Sequence, residues 1–177
     1  MNNGKIGFGF NLVELTTVLS IVSLLAYFNM PRLSEMFVSN QINSQVTKWQ
    51  NVLNEARQYA SIRQKQIIVC PVDSSLITSN SRCGDDWMRS ILIFVDSDLD
   101  RDFSVSDKVL NRLETSELTL QVNRRMFKFA PLSDASTTAG TIKFCAHKSL
   151  SHLSQAIVIS NVGRIRLAIN KKGDCVY

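Results

Sequence analysis

The sequence predicts an α+β protein: a long N-terminal helix, membrane-spanning in its first half and kinked near Pro31, packed on an antiparallel β-sheet head. Three observations carry the prediction. An apolar run near the N-terminus is long enough to cross a bilayer, an apolar stripe of helical period follows it, and beyond residue 65 short β-rich runs alternate with turn-type clusters. The 177 residues leave room for one domain with an appendage, divided at 1–9, 10–30, 31–65 and 66–177. There is no internal repeat, and three prolines and seven glycines exclude a collagen-like or linker-like chain.

The first element, Phe10–Met30, reads FNLVELTTVLSIVSLLAYFNM, 21 residues with Glu14 as the sole charge. At about 1.5 Å per residue it makes about 31 Å of helix, matching a hydrocarbon core of about 30 Å. A secretory signal peptide is the competing reading, since Lys5 precedes the run. The run is too long for that, however, and no small-x-small cleavage site follows it. The small residue that could mark a cut, Gly9, stands in front of the run instead. A carboxylate in a membrane span costs about 3 kcal/mol, so Glu14 implies a partner and a role.

Past Pro31 the helical pattern resumes. Proline lacks the amide hydrogen and crowds the preceding turn, so a kink is expected there. Ile42, Val46, Trp49, Leu53, Ala56 and Ala60 follow spacings of 4, 3, 4, 3 and 4, one apolar stripe on a polar helix expected to end near Arg63–Gln66. Because β-rich segments follow directly, packing of this stripe on a sheet is expected over a coiled coil. Strands are expected at Gln66–Cys70, Ile91–Val95, Val109–Leu113, Leu118–Val122, Phe127–Phe129, Thr141–Cys145, Ala156–Ser160 and Ile165–Ile169, with SSLITSNS, DSDLDRD and LSDASTTAG as punctuation.

The formal charge of +5 is unevenly placed. From Asp73 to Asp107 eight acids face three bases, whereas from Gly140 to Tyr177 six bases face Asp174 alone, a local 6 − 1 = +5. Such a surplus can attract a polyanion, or serve only as a solvated basic face. Cys70, Cys83, Cys145 and Cys175 form no CxxC pair, which argues against a zinc ribbon or a thioredoxin-like site. An even number in an exported domain suggests two disulfides. Three pairings are open, and Cys70–Cys83 with Cys145–Cys175 is favoured, the first closing a local polar loop and the second tying the chain end to a strand. Free buried thiols are the alternative.

Asp96, Asp98, Asp100 and Asp102 alternate in DSDLDRD, with Asp107 twelfth from Asp96, a spacing similar to a calcium loop. Arg101 replaces the glycine at position six and the twelfth residue is Asp instead of Glu, so a solvated hairpin loop without metal is expected. His147 and His152 have too few neighbouring ligands for a metal site and are expected at the surface. No Ser-His-Asp order, glycine-rich phosphate loop or HExxH motif occurs, so neither an enzyme nor a cofactor is expected.

In AIVIS-NVG-RIRLAI, Asn161-Val162-Gly163 reads as a three-residue hairpin loop, with Gly163 free to take the left-handed conformation. Period 2 then places Ile165, Leu167 and Ile169 on one face and Arg164 and Arg166 on the other, about 7 Å apart, with Lys171 and Lys172 following. Fork-shaped guanidiniums at that spacing can each hold a phosphate, or can merely keep a sheet face soluble.

Two resemblances follow from these residues. Gly9-Phe10-Asn11-Leu12-Val13-Glu14-Leu15 is similar to the type IV prepilin signature, with Asn11 in place of the usual threonine. It implies a leader peptide of residues 1–9, cleavage after Gly9 by a prepilin peptidase, N-methylation of Phe10, an assembly role for Glu14 and a helix-loosening Pro31. The strand Ile91–Asp96 (ILIFVD), Lys143–His147 (KFCAH) and the Gly163-Arg164-Ile165-Arg166 turn resemble the GspH/FimT family of minor pilins and pseudopilins. Ser90-Ile91 stands where that family usually has Gly-Trp. The resemblance implies a single-pass subunit of the bacterial inner membrane with a periplasmic head. It would join other minor and major pilins or pseudopilins in a surface filament, at its tip, and bind DNA through Arg164 and Arg166 with Lys171 and Lys172. The alternative it leaves is a type II secretion pseudopilin (protein H-like).

Overall fold

The structure, a computed structural model, describes residues 11–72, 80–114, 118–131, 136–168 and 175, the side chains of 28–31 and 80 excepted. The chain divides into two compact units, Met1–Phe37 and Val38–Tyr177, so the head takes in the amphipathic part of the helix from Val38 onward.

Helix α1 runs Leu12–Arg63. From Leu12 to Tyr27 it is mostly apolar with Glu14 as its one charge, and every described side chain from Asn11 to Tyr27 is exposed. Its hydroxyls are satisfied within the helix. Thr16 and Thr17 donate to the carbonyls of Val13 and Glu14, and Ser20 and Ser23 to those of Thr16 and Leu19, at 2.7–2.9 Å. These back-bonds remove the polarity that four hydroxyls would otherwise bring to an apolar rod. Among the described residues no single helix is long and apolar enough to cross a membrane; Leu12–Tyr27 and Arg32–Arg63 reach that measure only together. The kink expected at Pro31 lies outside the described side chains.

In the second unit the stripe behaves as its spacing requires: Ile42, Val46, Trp49, Leu53, Ala56 and Ala60 are all buried, joined by Val52. The helix stops where Gln64 turns left-handed at φ 51°. After Lys65 the chain enters β1, Gln66–Val72. The remaining strands are β2 (Asn80–Ser81), β3 (Ser90–Asp96), β4 (Phe103–Ser104), β5 (Lys108–Leu113), β6 (Thr119–Val122), β7 (Phe127–Phe129), β8 (Gly140–Cys145), β9 (Gln155–Ile159) and β10 (Ile165–Leu167). They form two four-stranded antiparallel sheets, ordered β5-β3-β1-β7 and β10-β9-β8-β6, and a small β2-β4 ribbon. All eight expected strands are present. The ribbon and a 3-10 helix at Lys148–Leu153 are additions.

The first sheet is covered on both sides. Ile67, Val69, Ile91, Ile93 and Val95 meet the helix stripe in one core that also takes in Phe127, Phe144, Ile157 and Ile159. The alternate residues Ile68, Cys70, Leu92 and Phe94 form a second core with Val72, Cys83 and Phe103. That is why β1 and β3 read as continuous apolar runs and not as alternating ones. Trp49 joins the layers, its ring centroid 6.2 Å from Trp87 and 6.1 Å from Phe144.

Both favoured disulfides are present, Cys70–Cys83 and Cys145–Cys175, with Cα–Cα distances of 5.5 and 5.9 Å. In the chain-entropy description the shorter crosslink is worth about 3 kcal/mol and the longer about 3.6 kcal/mol. A Cys70→Ala/Cys83→Ala head is therefore expected to unfold at distinctly lower urea, with its ΔG of unfolding down by about 3 kcal/mol. An unchanged midpoint would mean that the polar loop needs no crosslink.

Candidate functional site

The β9–β10 hairpin is built as the Asn-Val-Gly spacing implies. Gly163 adopts φ 73° and donates to the Ser160 carbonyl at 2.9 Å, and Ser160 N–H donates back to the Arg164 carbonyl at 3.0 Å. The Ser160 hydroxyl accepts from Arg164 N–H at 3.0 Å. A side chain at 163 would be strained by that φ. Past the turn, Ile159 faces Ile165 and Val158 faces Arg166. Arg164, just before the edge strand β10, and Arg166, on it, are exposed. Ile165 packs against the core, but Leu167 is 43% exposed, so the apolar face expected for this strand is a single residue deep over the described span. Ile169, Lys171 and Lys172 lie outside the described residues, as do Gly9 and Phe10.

The hairpin is not alone in carrying cations. A β-carbon at Gly163 would stand 3.4 Å from both Arg57 Nε and Thr137 Oγ1, so the α1 residue Arg57 lies against the turn. Thr137 and the hairpin residue Asn161 also line a cleft of about 600 Å³ whose other walls include Arg101, Arg124, Arg125 and Lys128. Three of these bases are held in place. Arg124 donates to the Ala139 carbonyl at 2.9 Å, Arg125 Nε to the Cys83 carbonyl at 2.9 Å, and Lys128 to Ser136 Oγ at 2.6 Å. The Arg124 carbonyl accepts from Trp87 Nε1 at 2.7 Å, tying this wall to the core. Gly140 lets the wall close up, since a β-carbon there would come within 2.8 Å of Arg124 Cγ and 2.7 Å of the Phe127 ring. The sequence expectation located basic character only in the C-terminal segment. Arg57 and the cleft were missed, although Arg124, Arg125 and Lys128 stand close together in the chain.

Glu14 lies on the exposed apolar part of α1 and is the one charged residue between Asn11 and Tyr27. His147 and His152 are exposed, and His147 Nδ1 lies 3.5 Å from Ser149 N–H at the start of the 3-10 helix. That is the surface role expected.

A helix of this length followed by antiparallel sheets is the α+β architecture of type IV pilin-like subunits. The model of the family described as Type II transport protein GspH matches residues 45–163, and the chain belongs to that family. The match takes in the stripe from Val46 onward and every strand but β10, ends at the hairpin glycine, and leaves Glu14, Arg164 and Arg166 outside. Among solved structures the fold is similar to the type IV minor pilin FimU of Pseudomonas aeruginosa strain PAO1. The TM-score is 0.53 at 17% identity, covering 73% of this chain and 90% of that one. A second crystal form of FimU matches with a TM-score of 0.47 at 17% identity, covering 76% and 92%. No functionally characterised protein compared by sequence matches at a significant level. Family and fold are those of structural pilin subunits, which assemble with other pilins or pseudopilins, not of enzymes.

Proposed function

We propose that the chain is a minor pilin-like subunit, anchored in the bacterial inner membrane by residues 10–30, that enters a type IV pilus-like filament near its tip with the head in the periplasm. One observation carries the reading: the first part of α1 is mostly apolar with Glu14 as its one charge, is exposed all round, and bonds its Thr and Ser hydroxyls back to its own carbonyls. Such a helix is stable only in lipid or among other helices of its kind. Glu14 is then the register device. In a filament core its carboxylate and the amine of a neighbour's processed Phe10 are each costly alone and neutralise one another together.

The processing step gives the test. Cleavage between Gly9 and Phe10 by prepilin peptidase leaves a mature chain of 177 − 9 = 168 residues with an N-methylated Phe10. Mass spectrometry of the N-terminal peptide from membrane-extracted protein is expected to find it. A terminus beyond Met30 would make the protein an ordinary secreted one.

The head, in this reading, offers Arg164 and Arg166 to the phosphates of DNA, with Arg57 and the basic cleft beside the same turn. Lys171 and Lys172 extend the basic segment in sequence. A second reading, a type II secretion pseudopilin of the secretion filament tip, is favoured by the family's own description. It needs protein contacts from the head and no nucleic acid.

A further inference from the structure

The connection between β3 and β5 is a hairpin exposed over 97–101 and at 105–106 but held at both ends by buried acids. Its middle residues are exposed, but Asp96 is 1% and Asp107 9% accessible, both buried among the cores and turns that flank them. One carboxylate oxygen from each of Asp96, Asp98 and Asp107 falls within 4.8 Å of the other two. Two oxygens bound to a single calcium ion at about 2.3–2.6 Å stand at most about 5 Å apart, so the three already lie within the reach of one ion.

Three acids close together would not by themselves indicate a ligand. The second observation is Asp96 Oδ1, which is buried and has no hydrogen-bond partner among the described residues. The other oxygen of the same carboxylate is satisfied, accepting from Gln66 Nε2 at 2.6 Å and from Arg101 N–H at 3.2 Å. Buried carboxylate oxygens in native folds are paired as a rule, and an orphan marks a missing partner.

We propose that this loop binds one calcium ion through the carboxylates of Asp96, Asp98 and Asp107. Ser104 Oγ, 3.3 Å from Asp98 Oδ2 and 3.0 Å from Asp107 Oδ2, supplies a further oxygen beside them. Asp102 stands outside the trio, and its Oδ1 accepts from Cys83 N–H at 3.1 Å. The objection from sequence, that Arg101 occupies the position of the turning glycine, is met by the backbone: Arg101 adopts φ 69° without it. Hard oxygen donors without sulfur or imidazole suit calcium over the transition metals.

The test is calorimetric titration of the full chain in detergent with calcium chloride after chelator treatment, with magnesium chloride in parallel. One ion per chain is expected, with Kd between about 10⁻⁵ and 10⁻³ M, as for sites in extracellular modules and weak sensors. At calcium tenfold above Kd the head should melt about 3–6 °C higher than in chelator. Asp98→Asn, at an exposed position, should weaken binding at least tenfold while leaving the melting temperature in chelator unchanged. Absence of heat and of any melting shift up to about 10 mM calcium overturns the proposal. So does an equal response to magnesium, or an Asp98→Asn chain that binds as tightly as the original.

Discussion

Replacing Glu14 by alanine is expected to leave the head folded and the chain in the membrane, yet to remove the subunit from filaments and from its partner pilins. The residue lies far from both cores in sequence, and its neighbours along the helix face are Asn11, Thr17, Val18 and Ile21, all exposed. Its loss therefore costs the fold nothing and makes the helix more apolar. Assembly is different. Breaking a buried charge pair by removing one member costs about 3–5 kcal/mol, because the other charge stays buried and alone. That corresponds to a fall in incorporation of at least about a hundredfold. Glu14→Gln retains hydrogen-bonding capacity without charge and should fall between. Co-purification with partner pilins, quantified against head stability, measures it. A Glu14→Ala subunit recovered with its partners at the original ratio would reject the role.

The second large effect concerns the hairpin. The soluble head is expected to bind DNA without sequence preference, its affinity falling with salt at a slope of about −0.9 per phosphate neutralised. Two arginines alone give a slope near −2, and recruitment of the four cleft bases would take it toward about −5. Arg164→Gln with Arg166→Gln should reduce the slope by about two units without unfolding the head, since both side chains are exposed. Lysine replacements at 171 and 172 should each do less, a flexible ammonium making no bidentate contact. Fluorescence anisotropy across a salt series is the measurement. A double variant that binds like the original reduces the arginines to solvated surface. A head that binds no DNA even at low salt turns the assignment to the secretion pseudopilin.

What could be read from the sequence was what repeats at short range. The 4, 3, 4, 3, 4 spacing from Ile42 to Ala60 fixed a buried face before any partner was known, and every one of those residues is buried. Gly163 was legible because a left-handed turn residue has few substitutes. The β2–β4 ribbon was not, since two-residue strands carry no period to detect. Nor was the double coverage of β1, whose second face meets Phe103 of the short strand β4, 31 residues after β1 ends (103 − 72). Arg57 was invisible as a site residue for a similar reason. On the helix it is an ordinary half-buried polar position, and only the fold brings the 163 turn against it. The burial of Asp96 was not legible in the acidic run, because it ends a strand that is buried from Ile91 onward.

The junction of α1 with β1 also has a mechanical meaning. Tension along the helix would arrive, after two connecting residues, at a strand flanked on both sides, paired with β3 from Gln66 to Val72 and with β7 from Ile67 to Val69. A load that peels β1 from its leading end can free only residues 66–69 before reaching Cys70, where the bridge to Cys83 makes the next step covalent. The stripe from Ile42 to Ala60 shares that load through the core. In an oxidising compartment the head is thus fitted to be dragged by its helix without unravelling, and in a reducing one it would lose the stop.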